Sequence, residues 1–113
     1  MNGIGIGDSL PDDESLVARL RGAGVVDTVF VIADNDAIGR RAPHWARLMA
    51  GIGWSHRVRF WEGRADAASV AALADEAGRF GGQVIVAAGA GATLAVARDV
   101  ALAAGIPCVV DAA

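Results

Sequence analysis

Val84-Ile-Val-Ala-Ala-Gly-Ala-Gly-Ala-Thr93 is an apolar run that breaks into a glycine-rich turn and resumes as an alanine-rich, helix-like segment. An apolar stretch without alternation fits a strand buried on both faces of a parallel sheet. Gly89 and Gly91 let the backbone turn sharply and come close to a ligand, and the first free amides of the next helix, together with its dipole, favour an anion. Strand, phosphate loop and helix in that order point to a nucleotide or another phosphorylated small molecule.

Outward from this stretch, strands and helices alternate. Upstream, Thr28-Val-Phe-Val-Ile-Ala33 is a β-branched, aromatic run that predicts a buried central strand ending in Asp34-Asn-Asp36. A helix follows over 38–50, closed by Gly51 and Gly53. His56-Arg-Val-Arg-Phe-Trp61 alternates polar and apolar, as a strand with one less protected face does, and ends before Glu62. The next helix covers 66–80, with Asp66 as its N-cap. Nearer the N-terminus, Gly3-Ile-Gly-Ile-Gly7 alternates like a short edge strand. Pro11-Asp12-Asp13 then gives an acidic helix start before Leu16, Val17 and Leu20, with Gly22 and Gly24 as the stop. Downstream of the turn, a helix over 93–104 stops at Gly105, and Ile106-Pro-Cys-Val-Val110 is a last short strand. This order predicts an α/β, Rossmann-like three-layer sandwich over 1–113, with a mostly parallel sheet of about four to five strands and helices on both faces. In such sheets ligands bind beyond the strand carboxyl ends, where the strand order reverses. Asp34, Glu62 and the glycine turn all fall at such ends.

Composition narrows the functional classes. With 113 residues and 54% hydrophobic content, the chain supports one packed core. A net charge of −3 is not the broad basic footprint of a nucleic-acid binder, and Arg40, Arg41, Arg47, Arg57, Arg59 and Arg64 read as a solvated helix face and strand edge. The sequence contains no lysine, which excludes Schiff-base chemistry and a P-loop lysine. Cys108 is the single cysteine and reads as a buried structural thiol in a reducing cytoplasm. No apolar run reaches the roughly 20 residues that span a bilayer, and no secretory signal stands at the N-terminus, so a cytoplasmic protein without a membrane partner is expected. His44, near the start of its predicted helix, and His56 lack a second histidine or cysteine at metal-ligand spacing. The three tryptophans, Trp45, Trp54 and Trp61, read as core or subunit contacts, and with so apolar a chain they suggest a homodimer. Asp66, Asp75, Glu76 and Asp99 read as helix-surface charges, and no serine has the setting of an acyl-transfer nucleophile.

An acid at one strand end and a glycine turn at another form the pair a dinucleotide needs, the acid accepting from a ribose while backbone amides hold the pyrophosphate. Their order along the chain is the reverse of the usual fingerprint. In its run of motifs the chain resembles the N-terminal nucleotide-binding domain of the iron-containing alcohol dehydrogenase and dehydroquinate synthase superfamily. The resemblance rests on Val29-Phe-Val-Ile-Ala-Asp34, on Phe60-Trp-Glu-Gly63 in place of a Phe-x-Gly strand end, on Gly89-Ala-Gly-Ala-Thr-Leu-Ala-Val-Ala-Arg98 in place of Gly-Gly-Gly-Ser-x-x-Asp-x-Ala-Lys, and on Gly105-Ile-Pro107. It implies NAD or NADP as cofactor, Asp34 on the ribose, and the backbone of Gly89, Ala90, Gly91, Ala92 and Thr93 on the pyrophosphate. Ala90 and Ala95 depart from the family's glycine and aspartate, and Asp111-Ala-Ala113 has no counterpart of its Pro-Thr-Thr segment. The family's helical metal-binding domain has no counterpart here either. The expectation is therefore a stand-alone dinucleotide-binding domain, an oxidoreductase only in company with a separate catalytic chain.

Two other classes compete. Asp34-Asn-Asp-Ala-Ile-Gly39 and Glu62-Gly-Arg-Ala-Asp66 resemble the two acidic motifs of Toprim domains in permuted order, which implies Mg²⁺ held by Asp34, Asp36 and Glu62 for phosphoryl transfer. The other is an apolar α/β interaction module without a small-molecule site. The glycine turn also resembles the Gly-rich loop of the aminoimidazole ribonucleotide carboxylase family, without its Gly-Ser-x-Ser-Asp signature.

Overall fold

The computed structural model describes residues 11–112, so the edge strand expected at 3–7 lies outside the described residues. Helix α1 (Pro11–Gly22) leads to strand β1 (Thr28–Ala33), followed by α2 (Asn35–Ile52), β2 (Ser55–Phe60), α3 (Ala67–Phe80), β3 (Ile85–Ala88), α4 (Gly91–Ala104) and β4 (Cys108–Val110). The described strands form one parallel sheet in the spatial order β2-β1-β3-β4.

β1 and β3 are the two runs without alternation, and they pair at the centre of the sheet, with Phe30 opposite Ile85 and Ala33 opposite Ala88. Both are buried on each face because helices cover each side. On one side Val29, Val31, Ala33, Val84, Val86 and Ala88 pack with Leu16 and Leu20 of α1 and with Ala37, Trp45 and Met49 of α2. On the other, Phe30, Ile32, Ile85 and Ala87 pack with Leu73 and Ala77 of α3 and with Val96, Ala97, Val100 and Ala101 of α4. The period-2 alternation of a strand divides one apolar run between two cores. β2 pairs only with β1 among the described residues, and its alternation of exposed and half-buried positions follows from that edge place.

Helix limits differ from the sequence expectation in three places. α2 begins at Asn35 and runs through Gly39, Pro43 and Gly51, ending where Gly53 adopts the left-handed conformation at φ 73° and its amide returns to Ala50 and Met49. Gly51 is therefore helical, and Gly53 alone is the stop. His44 consequently lies mid-helix, not near a start, with its Nδ1 3.2 Å from Arg47 Nη2. α4 starts at Gly91, two residues earlier than expected, so Gly91 belongs to the helix and not to the turn. No described helix is long and apolar enough to cross a membrane.

Candidate functional site

The chain leaves β1 in the middle of the sheet, moves outward to β2, then returns past β1 to β3 and β4. The helix after β1 and the helix after β3 pack on opposite faces, which makes the carboxyl ends of these two neighbours the switch point where open parallel sheets bind ligands. Asp34 follows β1 there and Gly89 follows β3. The two segments expected to form a site, distant in sequence, thus meet at the switch point.

Their contact is intimate. Asp34 is the N-cap of α2: its Oδ1 accepts from the amide of Ala37 at 2.9 Å, while its Oδ2 accepts from the amide of Ala90 at 2.8 Å. One carboxylate therefore ties the start of α2 to the turn before α4. It is only 8% exposed, and the two amide donors hold its pKa below the usual carboxylate range against the opposing effect of burial. Gly89, at φ 135°, has no room for a side chain, since a Cβ would land on the Asp34 carboxyl group. The close approach that this glycine permits is to Asp34.

The amides of Gly91, Ala92 and Thr93 are the first of α4 and have no acceptor within the helix. Ala90 occupies the N-cap and offers no side-chain oxygen to them. A Cβ at Gly91 would meet nothing within 4 Å among the described residues. Thr93 is buried, and its hydroxyl donates to the Trp61 carbonyl at 3.3 Å, which leaves its backbone amide as its contribution to the turn. At the start of α2 the situation is reversed: Glu62 Oε1 accepts from the Asn35 amide at 3.2 Å and Asp34 takes that of Ala37. Of the two helix starts, that of α4 is the one without side-chain caps.

The carboxylate cluster expected to hold Mg²⁺ does not assemble. Asp36 turns to Arg40 at 3.1 Å on the surface of α2, Asp34 is spent on two amides, and no group of three or more His, Cys, Asp or Glu able to hold a metal occurs among the described residues. The physical reason is the helix itself: in its first turn Asp36 faces solvent and pairs with Arg40 one turn on, while Asp34 is buried as the N-cap. Cys108 is half-buried in β4, and burial pushes its thiol pKa up against the nearby charge of Arg98, as suits a structural thiol.

At the level of fold, the chain is similar to part of a dehydrogenase. It superposes on the crystal structure of a probable glycerol dehydrogenase from Sinorhizobium meliloti 1021 with a TM-score of 0.60 and 21% identity, over 88% of this chain and 26% of that one. The chain therefore spans about a quarter of that protein's length, and the likeness extends to architecture alone. No protein-family model and no curated protein matches the sequence significantly.

One buried polar group was absent from the sequence reading. Asp111, just after β4, accepts from Arg41 Nε at 3.1 Å and from Trp45 Nε1 at 2.7 Å, with all three residues buried. The partners are separated by 70 and 66 positions. Only the signal of an arginine and a tryptophan one helical turn apart, at i and i+4, was available in the sequence to suggest a shared acceptor.

Proposed function

We propose that this chain binds a dinucleotide, NAD or NADP, at the switch point between β1 and β3, as the N-terminal domain of the iron-containing alcohol dehydrogenase superfamily does. The observation that carries the reading is the start of α4 beside Asp34, which has no side-chain cap among the described residues and begins with the side-chain-free Gly91. A pyrophosphate fits that arrangement: the amides of Gly91, Ala92 and Thr93 donate to its oxygens, and the positive end of the α4 dipole faces its charge. Asp34 holds the Ala90 amide and so fixes the turn in shape before the ligand arrives. When bound, a nicotinamide supplies hydride transfer. Oxidation or reduction of an alcohol or aldehyde is proposed only for an assembly in which a metal-binding helical domain, on this polypeptide or on a separate chain, completes the site.

Isothermal titration with NAD⁺, NADH and NADPH tests the proposal. Saturable binding is expected, with Gly91→Val weakening it by at least about tenfold, or 1.4 kcal/mol. Among the described residues nothing lies within 4 Å of the Gly91 Cβ position, so that variant is expected to keep the fold, with circular dichroism as the check that lost binding reports on the ligand. Flat titrations with folded wild-type protein overturn the reading and leave the interaction module in its place.

A further inference from the structure

Asp34 has a counterpart on the other side of β3. Both strands that flank β3 lead into an aspartate, Asp34 after β1 and Asp111 after β4. The amide of Asp34 donates to the Ala88 carbonyl at 3.3 Å and that of Asp111 to the Ala87 carbonyl at 2.9 Å, so the last two residues of β3 are held from both sides just before the glycine turn. Their carboxylates converge on one helix. That of Asp34 caps α2 at Ala37, and that of Asp111 accepts from Arg41 and Trp45, one and two turns further along α2.

The period of the strand explains this meeting. Val109 packs into the core under α1 and α2 while Cys108 and Val110 pack into the other, so Asp111, two residues after Val109, falls on the α2 face. Its side chain and that of Arg41 are both buried, and a buried ion pair offsets its desolvation only in a narrow range of geometries. α1 adds a second grip, since Arg19 Nη1 donates to the Val110 carbonyl at 2.6 Å. β4 itself is three residues long and half-buried, so these side-chain bonds carry much of its docking. α2 in turn is one helix from Asn35 to Ile52, and a shift at Arg41 reaches the cap at Asp34, whose other oxygen holds the Ala90 amide.

We propose that Asp111 is a positioning residue for the turn before α4, and that docking of β4 and occupation of that turn by a pyrophosphate stabilise one another. The inference rests on the dinucleotide reading above and assigns its regulation. The two-state element is β4, either docked with Asp111 on α2 or released. Docked, the two aspartates hold the end of β3, the start of α2 and the Ala90 amide in one frame, which presents the first amides of α4 in a fixed shape. Released, the frame loses one side, and the ligand then bears the cost of ordering the turn. Coupling of this kind is reciprocal: whatever draws β4 from the sheet lowers ligand affinity, and the ligand in turn protects β4.

The test combines amide hydrogen exchange with NAD⁺ titration on the whole chain, with circular dichroism as the check of fold. In ligand-free protein, Asp111→Asn should speed exchange of the Ala90 amide although Asp34 is intact. Its NAD⁺ affinity should fall by about tenfold, within the usual range of coupling between sites, and saturating NAD⁺ should slow exchange of the Asp111 amide in wild type by a similar factor. Trp45→Phe removes one donor, leaves the ion pair, and should shift exchange and affinity less in the same direction; it carries the test should Asp111→Asn not fold. Leu73→Ala, in the opposite core, is the control for stability alone and should lower the urea midpoint without changing affinity. If the Asp111 and Trp45 variants lose stability but keep wild-type Ala90 exchange and NAD⁺ affinity, or if Leu73→Ala loses as much affinity as they do, the inference fails and the dinucleotide reading stands. If folded wild type takes up no NAD⁺, both fail.

Discussion

Asp34 and Gly89 show how much one residue pair decides. At Gly89 the carboxyl group of Asp34 leaves no place for a side chain, and the φ of 135° is one that side chains rarely adopt. Gly89→Ala should destabilise the protein by about 2–4 kcal/mol through clash and backbone strain, read as a lower urea midpoint. Gly91→Ala should do the opposite, gaining up to about 0.5–1 kcal/mol, because that position is already helical and open. The same substitution at two neighbouring glycines therefore separates the structural glycine from the one that keeps the approach clear. Asp34 also sets a pH dependence. Its folded pKa lies below its unfolded value, so its contribution is fully present above the unfolded carboxylate pKa of about 3.9 and is lost as pH falls through the folded value. Asp34→Asn would turn an NH₂ group on the Ala90 amide whenever its oxygen caps Ala37. It should cost about 1–3 kcal/mol at pH 7 and flatten the acid limb of stability, measured by urea unfolding from pH 7 down to pH 2.

At the scale of elements, the sequence reading did best where one local signal coincided with the tertiary environment. β1 and β3 were legible because a strand covered on both faces has no polar alternation to confuse it, and Asp66 was legible as a cap because its side chain needs only the Ser69 amide three residues on. The limits of α2 were less so, since Gly39, Pro43 and Gly51 all argue locally against a helix. The helix persists through them because Trp45 and Met49 are fully buried against the sheet, and that packing outweighs weak propensity. α2 is also tied to β4 through Asp111, whose pairing with Arg41 and Trp45 no local pattern announces. Asp111→Ala should cost about 3–5 kcal/mol in chemical denaturation, because it removes the buried carboxylate that Arg41 and the Trp45 indole N–H share. Combining it with Arg41→Met should recover part of that loss, since the buried charge is then gone as well.

For the whole molecule, the alternation of strands and helices in the sequence implied a parallel sheet with layers on both sides, and the described residues form that sandwich. Hydrophobic period and length were sufficient for this because βαβ crossovers have one favoured hand, which leaves few ways to cover both faces. The same sequence determined that an acid and a glycine turn stand at strand ends, that no lysine serves the site, and that Cys108 has no disulfide partner within the chain. Only the tertiary structure decided what those groups touch. It is the strand order that sets β1 beside β3, spends the Asp34 carboxylate on two backbone amides, and brings Glu62 onto the Asn35 amide, while α2 carries Asp36 out to the surface. A sequence records which donors and acceptors exist, but whether a carboxylate is still available depends on which amides the fold brings within about 3 Å of it.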